Sequence, residues 1–376
     1  MGKKLLQSST VRRAAKIDSL TSLRFIAAAL VFTWHAPIPD ANGLHDLQLG
    51  YLGVAFFYIL SGFILTYVYY RNIVARKSGS IKKFYISRIA KLYPVHVLTF
   101  LAALPLTIIT IQSVFAEHTK VKAFLAGFFN LTLTQAWIPK SSVYFSFNGV
   151  AWSISVEAFF YLLFPIIVLV IYRYRKRFTL RNILLAMSGM WLLCMVLLLP
   201  QVSHIDDWVF YIFPLARLPD FLMGIFVALI YMDSNKKKPF GIKLGVTHAT
   251  IVEVASIVLV ISGLFIGTLM PQSVRFSIWM VPSLAFVVLV FSYQKGLVSK
   301  LLNNRVLIFL GEASFSFYMV HQLVIRYVLQ LGISYWGVVL LSFVLSTVVS
   351  GFLYVIYEEP LRLRLKAFFE RRLIKL

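Results

Sequence analysis

Asp18-Ser-Leu-Thr-Ser-Leu-Arg24-Phe-Ile-Ala-Ala-Ala-Leu-Val-Phe-Thr-Trp-His35 carries a cation near one end and an imidazole at the other. The residues between them are almost all apolar. A run of this length reads as a helix able to reach across a bilayer. Arg24 and His35 are eleven residues apart. At 100° per residue they fall within about 20° of each other, separated by about 16 Å of rise. One ridge of a single helix therefore presents both groups.

Similar runs recur down the chain. The apolar pattern predicts ten spans, at 19–36, 51–70, 92–112, 149–172, 182–200, 208–232, 249–269, 274–293, 306–330 and 335–357. Composition agrees. Of 376 residues, 60% are hydrophobic and only 14% charged, which excludes an ordinary soluble enzyme and a disordered tail. The single cysteine, Cys194, lies in an apolar run, so neither an intrachain disulfide nor a structural zinc cluster is expected. The first run lacks a small-residue cleavage site and reads as a retained span.

The net charge of +23 is mostly a matter of topology. With the N-terminus inside, the inner segments 1–18, 71–91, 173–181, 233–248, 294–305 and 358–376 carry 30 of the 37 Lys and Arg residues. The outer segments hold only Lys120, Lys122 and Lys140, and carry acids such as Asp40, Asp46, Asp206 and Asp207. Nucleic acid is therefore not an expected partner; the lipid bilayer is. The expected fold is an all-α polytopic bundle with cytoplasmic termini. Its parts are an N-terminal segment 1–18, a membrane domain 19–358 and a basic tail 359–376. The apolar stretch 121–138 cannot be an eleventh crossing, because one more would invert every later loop. It reads as a re-entrant or outer-surface helix that roofs a cavity.

Ionisable groups inside spans cost about 2.5–3.5 kcal/mol each to insert, so they are functional candidates. Arg275, Arg326, Glu253 and Glu312 lie near span ends, where long side chains reach water. Glu157, in Trp152-Ser153-Ile-Ser155-Val-Glu157, lies about 12 Å into its span. That depth resembles that of His35, so the two could pair or flank one reacting group; an ion pair of Glu157 with Arg217 or Arg24 is the structural alternative. Arg217 and Asp220 are i, i+3 and suited to satisfy each other. His321 reads as a packed, hydrogen-bonded residue. Ser61 and Gly62, after Gly50 and Gly53, permit close helix packing or ligand approach. Arg88 and Lys91, also i, i+3, end a basic inner segment and suit a polyanion, or simple anchoring.

Taken in order, these motifs resemble acyltransferase family 3, integral-membrane enzymes that O-acylate surface polysaccharides and other glycosylated compounds. Arg24-x10-His35 is similar to the family's opening. Gly53 to Phe63 resembles its second-span motif, and Arg88-x-x-Lys91-x-x-Pro94 the basic start of its third. Trp152 to Glu157, Arg217-x-x-Asp220-Phe-x-x-Gly224, Ser314 to His321 and Glu359-Pro360 resemble later elements. Lys91 stands where a second Arg is common, and Ala158 where a second acid is frequent. The resemblance implies a multi-pass protein of a bacterial cytoplasmic membrane. It implies a cytosolic acyl-CoA donor, typically acetyl-CoA, and an outer carbohydrate hydroxyl as acceptor, with no metal. Arg88, Lys91 and Arg24 would hold the donor, and His35 would act as general base with Glu157 orienting it or stabilising its cation; a covalent acyl-enzyme on His35 or a Ser is the alternative. Ser61, Ser153 or Ser155 would steady the oxyanion. The rival reading, a small-molecule or proton-coupled transporter, predicts paired internal repeats, and none is visible.

Overall fold

The structure is a computed structural model that describes residues 15–38, 49–76, 79–114, 119–199, 208–237 and 245–374. The expectations for Asp40, Asp46, Asp206 and Asp207 fall outside these residues. Among the described residues the chain is all-α, with no strand.

In chain order the helices are α1 (Asp18–His35), α2 (Gly50–Val74), α3 (Ser80–Val114), α4 (Thr119–Leu131) and α5 (Ser141–Tyr144). There follow α6 (Trp152–Arg173), α7 (Leu180–Leu198), α8 (Leu218–Lys237), α9 (Val246–Gly267) and α10 (Gln272–Val274). The last five are α11 (Val281–Ser292), α12 (Leu297–Leu302), α13 (Arg305–Val328), α14 (Tyr335–Leu353) and α15 (Glu359–Ile374). Eight helical stretches among the described residues are long and apolar enough to cross a membrane. Two of the ten expected spans, α1 and α8, are not among them. Both carry polar groups that lower their mean hydropathy: Arg24 and His35 on α1, Asp220 on α8. By contrast α7, α9 and α14 turn most of their surface outward and are almost purely apolar.

Central crossings are tight because glycine removes the side chain at the point of contact. A Cβ on Gly311 of α13 would lie 1.9 Å from the Thr21 carbonyl oxygen of α1. On Gly62 it would lie 2.1 Å from the Phe221 carbonyl, and on Gly224 1.9 Å from that of Ile59, so α2 and α8 touch backbone to backbone. The Gly62 motif position is thus a helix crossing rather than a cavity wall.

Two further features differ from the sequence reading, and a third refines it. The inner segment 71–91 is mostly helical, since α2 runs to Val74 and α3 begins at Ser80. Residues 359–374 are a helix, joined to α14 through a π-helical turn, Tyr354–Glu358. And 121–138 resolves into α4, a left-handed residue at Leu133 and a 3-10 turn, Gln135–Trp137. Thirteen residues of α4 span about 20 Å, short of the roughly 30 Å hydrocarbon core. This roof is pinned down: the His96 ring meets the Asn130 carbonyl at 2.9 Å, Ser155 donates to Leu133 O at 2.7 Å, and Trp208 donates to Ala136 O at 2.9 Å.

Candidate active site

Two chambers open at opposite ends of α1. The one at the Arg24 end, inner in the orientation expected from the sequence, begins at a mouth of about 280 Å³ bordered by Lys16, Arg24, Arg88, Lys91 and Arg362, with Glu312 and Glu359 as its acids. Arg24, Arg88 and Lys91 also border an inner chamber of about 170 Å³, which continues past Ser61, Glu157 and Tyr161 to Phe57, Ser153 and Tyr318. The sequence predicts Arg88 and Lys91 together, and α3 delivers them one turn apart because it is already helical at Ser80.

Each cation has a distinct setting. Arg88 donates to the Tyr69 hydroxyl at 3.1 Å and lies over the rings of Tyr69 and Tyr161, at 5.3 and 5.6 Å. Lys91 is ion-paired with Glu358, whose other oxygen accepts from Ser316 at 2.6 Å. Arg362 is held by both oxygens of Glu359, at 2.7 and 2.5 Å. Arg24 has no carboxylate within ion-pair distance among the described residues. Glu358 and Arg362 are absent from the sequence reading. The π turn aims Glu358 inward; the signal was an acid pair, Glu358-Glu359, closing the last span of an acid-poor chain.

Glu157 belongs to this inner chamber. Its Oε1 accepts from Ser61 at 3.1 Å and from Tyr161 at 2.5 Å. The expected pairing with His35 is not made, because depth along two helices does not fix which face each presents. Nor does Glu157 pair with Arg217, which meets Asp220 at 2.5 Å in full burial. That guanidinium also donates to the carbonyls of Phe276 and Ser277, and lies over Tyr58 and Tyr211. Arg217 and Asp220 thus brace α8 against its neighbours. Trp152 packs on Tyr211, and Ser155 is committed to the roof. Ser153 bonds the Tyr318 hydroxyl at 2.8 Å, at the chamber's far end. Glu253, expected to reach water, is buried instead and receives the backbone N–H groups of Gly296 and Ser299, at 2.9 and 3.1 Å.

The outer chamber, of about 1060 Å³, lies under the roof and is bordered by His35 together with residues of α4, the α5 region and α13. Here the partner of His35 is His321: Nε2 of His321 lies 3.1 Å from Nδ1 of His35. His321 Nδ1 faces the Tyr318 carbonyl at 2.7 Å and so carries a proton, which leaves its Nε2 as an acceptor. His35 Nδ1 also faces the Val31 carbonyl at 2.9 Å. Both neighbours of that nitrogen accept, so Nδ1 bears the proton and Nε2 of His35 holds the free lone pair. Phe317 stacks on the His321 ring, with centroids 6.1 Å apart and planes 10° apart. Tyr318, one turn from His321, lines the inner chamber, and its ring meets Phe57 edge-on. No group of three or more His, Cys, Asp or Glu suited to a metal occurs among the described residues.

Comparison with known proteins bears on this geometry. The family model described as an acyltransferase domain, Acyl_transf_3, matches residues 17–355. The chain is 28% identical to acyltransferase MdmB of Streptomyces mycarofaciens over 84% of its own length and 80% of that protein's. It is 24% identical to O-acetyltransferase OatA of Staphylococcus aureus, covering 92% of this chain and 57% of the relative. It is 25% identical to the peptidoglycan O-acetyltransferase OatA of Listeria monocytogenes, covering 83% of this chain and 50% of the relative. The chain thus spans about half the length of the two OatA proteins. No solved structure matches.

Proposed function

Because the chain belongs to acyltransferase family 3, multi-pass O-acyltransferases of bacterial membranes, we propose that it moves an acyl group, acetyl first of all, from cytosolic acyl-CoA to a carbohydrate hydroxyl in the outer chamber. The observation that carries this reading is the division of labour along α1: Arg24 borders a cation-rich mouth and His35 a roomy chamber at the opposite end.

Five cations against two carboxylates at the mouth suit the phosphates of a CoA thioester. Arg88 and Arg24 are the better candidates for those contacts. Lys91 has its charge balanced by Glu358 and would act chiefly by holding the mouth's shape. The pantetheine arm would pass Ser61 and Glu157 toward Tyr318, so that the thioester approaches His35 from below.

An alcohol is a weak nucleophile at neutral pH. Nε2 of His35 would take the hydroxyl proton as the oxygen bonds to the thioester carbonyl carbon, and the same proton would pass to sulfur as the carbon–sulfur bond breaks. The Nδ1–H bond to His321 supports this assignment, since it leaves Nε2 as the basic nitrogen. His321 thereby takes the orienting place that a carboxylate holds in a hydrolase triad. Glu157 would instead steady the inner chamber through Ser61 and Tyr161. The direct test is mass spectrometry of surface glycans from cells carrying the wild-type gene, no gene, or His35→Ala. The expected result is one added acyl mass with the wild type alone. Equal acylation by a well-expressed His35→Ala protein would defeat the assignment.

A further inference from the structure

The outer chamber holds a concentration of charge that general acyl transfer does not require. Segment 113–148 contains three basic residues, Lys120, Lys122 and Lys140, and two of these, Lys122 and Lys140, border the chamber. Arg326 of α13 is a third cation on the same wall, one of its nitrogens donating to the Phe147 carbonyl at 2.9 Å. The described residues bordering the chamber include no Asp or Glu. None of the three cations has a carboxylate within ion-pair distance among the described residues. Positive charge gathered in one recess, with no counter-charge among its described residues, raises the local concentration of anions.

Two further observations point to a hydroxyl-rich occupant. Gln322 borders the chamber beside Gly149, and its amide oxygen is buried with no hydrogen-bond partner among the described residues. It is an acceptor waiting for a donor such as a sugar hydroxyl. The walls also offer aromatic faces, among them Phe129 and Phe145, against which a sugar ring can lie. A volume of about 1060 Å³ is ample for more than one sugar unit.

We infer that the acceptor is an anionic glycan, its carboxylate or phosphate held by Lys122, Lys140 and Arg326 while one of its hydroxyls faces Nε2 of His35. This rests on the outer chamber being the acceptor site. The anionic group has two possible sources: a carboxylate on the sugar itself, or the diphosphate joining a sugar to a lipid carrier.

The test is equilibrium binding to the full chain in phosphatidylcholine nanodiscs. Three radiolabelled probes serve: a glucuronate oligosaccharide, its carboxyl-reduced neutral counterpart, and glucose linked to a polyprenyl diphosphate. At least one anionic probe is expected to bind about tenfold or more tightly than the neutral one. Whichever anionic probe binds better identifies the source of the charge. Lys122→Gln, Lys140→Gln and Arg326→Gln are each expected to weaken the anionic probe about two- to fivefold, and the neutral probe hardly at all. Arg326→Lys should restore most of the loss at that position and so separates charge from folding. Equal binding of all three probes, binding of none, or unchanged anion affinity in the triple Gln variant would overturn the inference. His35→Ala should keep the binding pattern while losing acyl transfer. If binding behaves as expected but wild-type protein transfers no acyl group, the transfer reading fails and the anion site stands.

Discussion

Replacing His321 tests the proposed base most sharply. In His321→Leu the apolar packing with Phe317 is largely kept, but the acceptor for His35 Nδ1–H is gone. The Val31 carbonyl still accepts that proton, so the favoured tautomer survives, while the ring loses its second fixed point. A neutral hydrogen bond contributes about 0.5–1.5 kcal/mol net, and loss of orientation at a reacting nitrogen adds to that. A total of about 1–3 kcal/mol corresponds to a fall in kcat of about 5- to 150-fold. The effect should be milder than removal of a triad carboxylate, because a neutral imidazole contributes little charge to stabilise an imidazolium. His321→Gln offers an amide oxygen in place of Nε2 and should recover part of the loss. The assay is acetyl transfer from labelled acetyl-CoA by purified protein in nanodiscs, normalised to folded protein from size exclusion, with KM for the donor measured in parallel. Donor KM should stay within about twofold, because the donor mouth lies at the other end of α1. Wild-type kcat in His321→Leu, or a loss carried wholly by donor KM, would refute the reasoning.

The remaining expectations concern the inner half and the scaffold. Arg24→Ala and Arg88→Ala should each raise the donor KM about tenfold or more while changing saturated turnover less, and kinetics across a range of acetyl-CoA concentrations would read this directly. Glu358→Ala leaves Lys91 without its counter-charge in a largely enclosed site and should destabilise the protein by about 3–5 kcal/mol, visible as a lowered melting temperature in detergent. Asp220→Ala should do similar damage by stranding the fully buried Arg217, whereas a double replacement of the pair by apolar residues should recover stability. Gly311→Leu should prevent the α1–α13 crossing, since even a Cβ would meet the Thr21 carbonyl at 1.9 Å; the check is loss of the monodisperse peak on size exclusion.

Much of this was readable along the chain. Recurrent apolar runs follow from the bilayer, which acts on each segment by itself; that is why the sequence alone determined an all-α membrane protein and the short helix in 121–138. Helical periodicity likewise put Arg24 and His35 on one ridge, and Arg88 next to Lys91. Partnerships between helices were not readable, because they depend on how each helix is rotated about its axis. That rotation is set by glycine contacts such as Gly62 with Phe221 and Gly224 with Ile59, and by buried braces such as Arg217 with Asp220. Only the tertiary structure therefore gave His35 its partner His321, moved Glu157 to the inner chamber, turned Glu358 toward Lys91, and gathered Lys122, Lys140 and Arg326, far apart in sequence, around one recess.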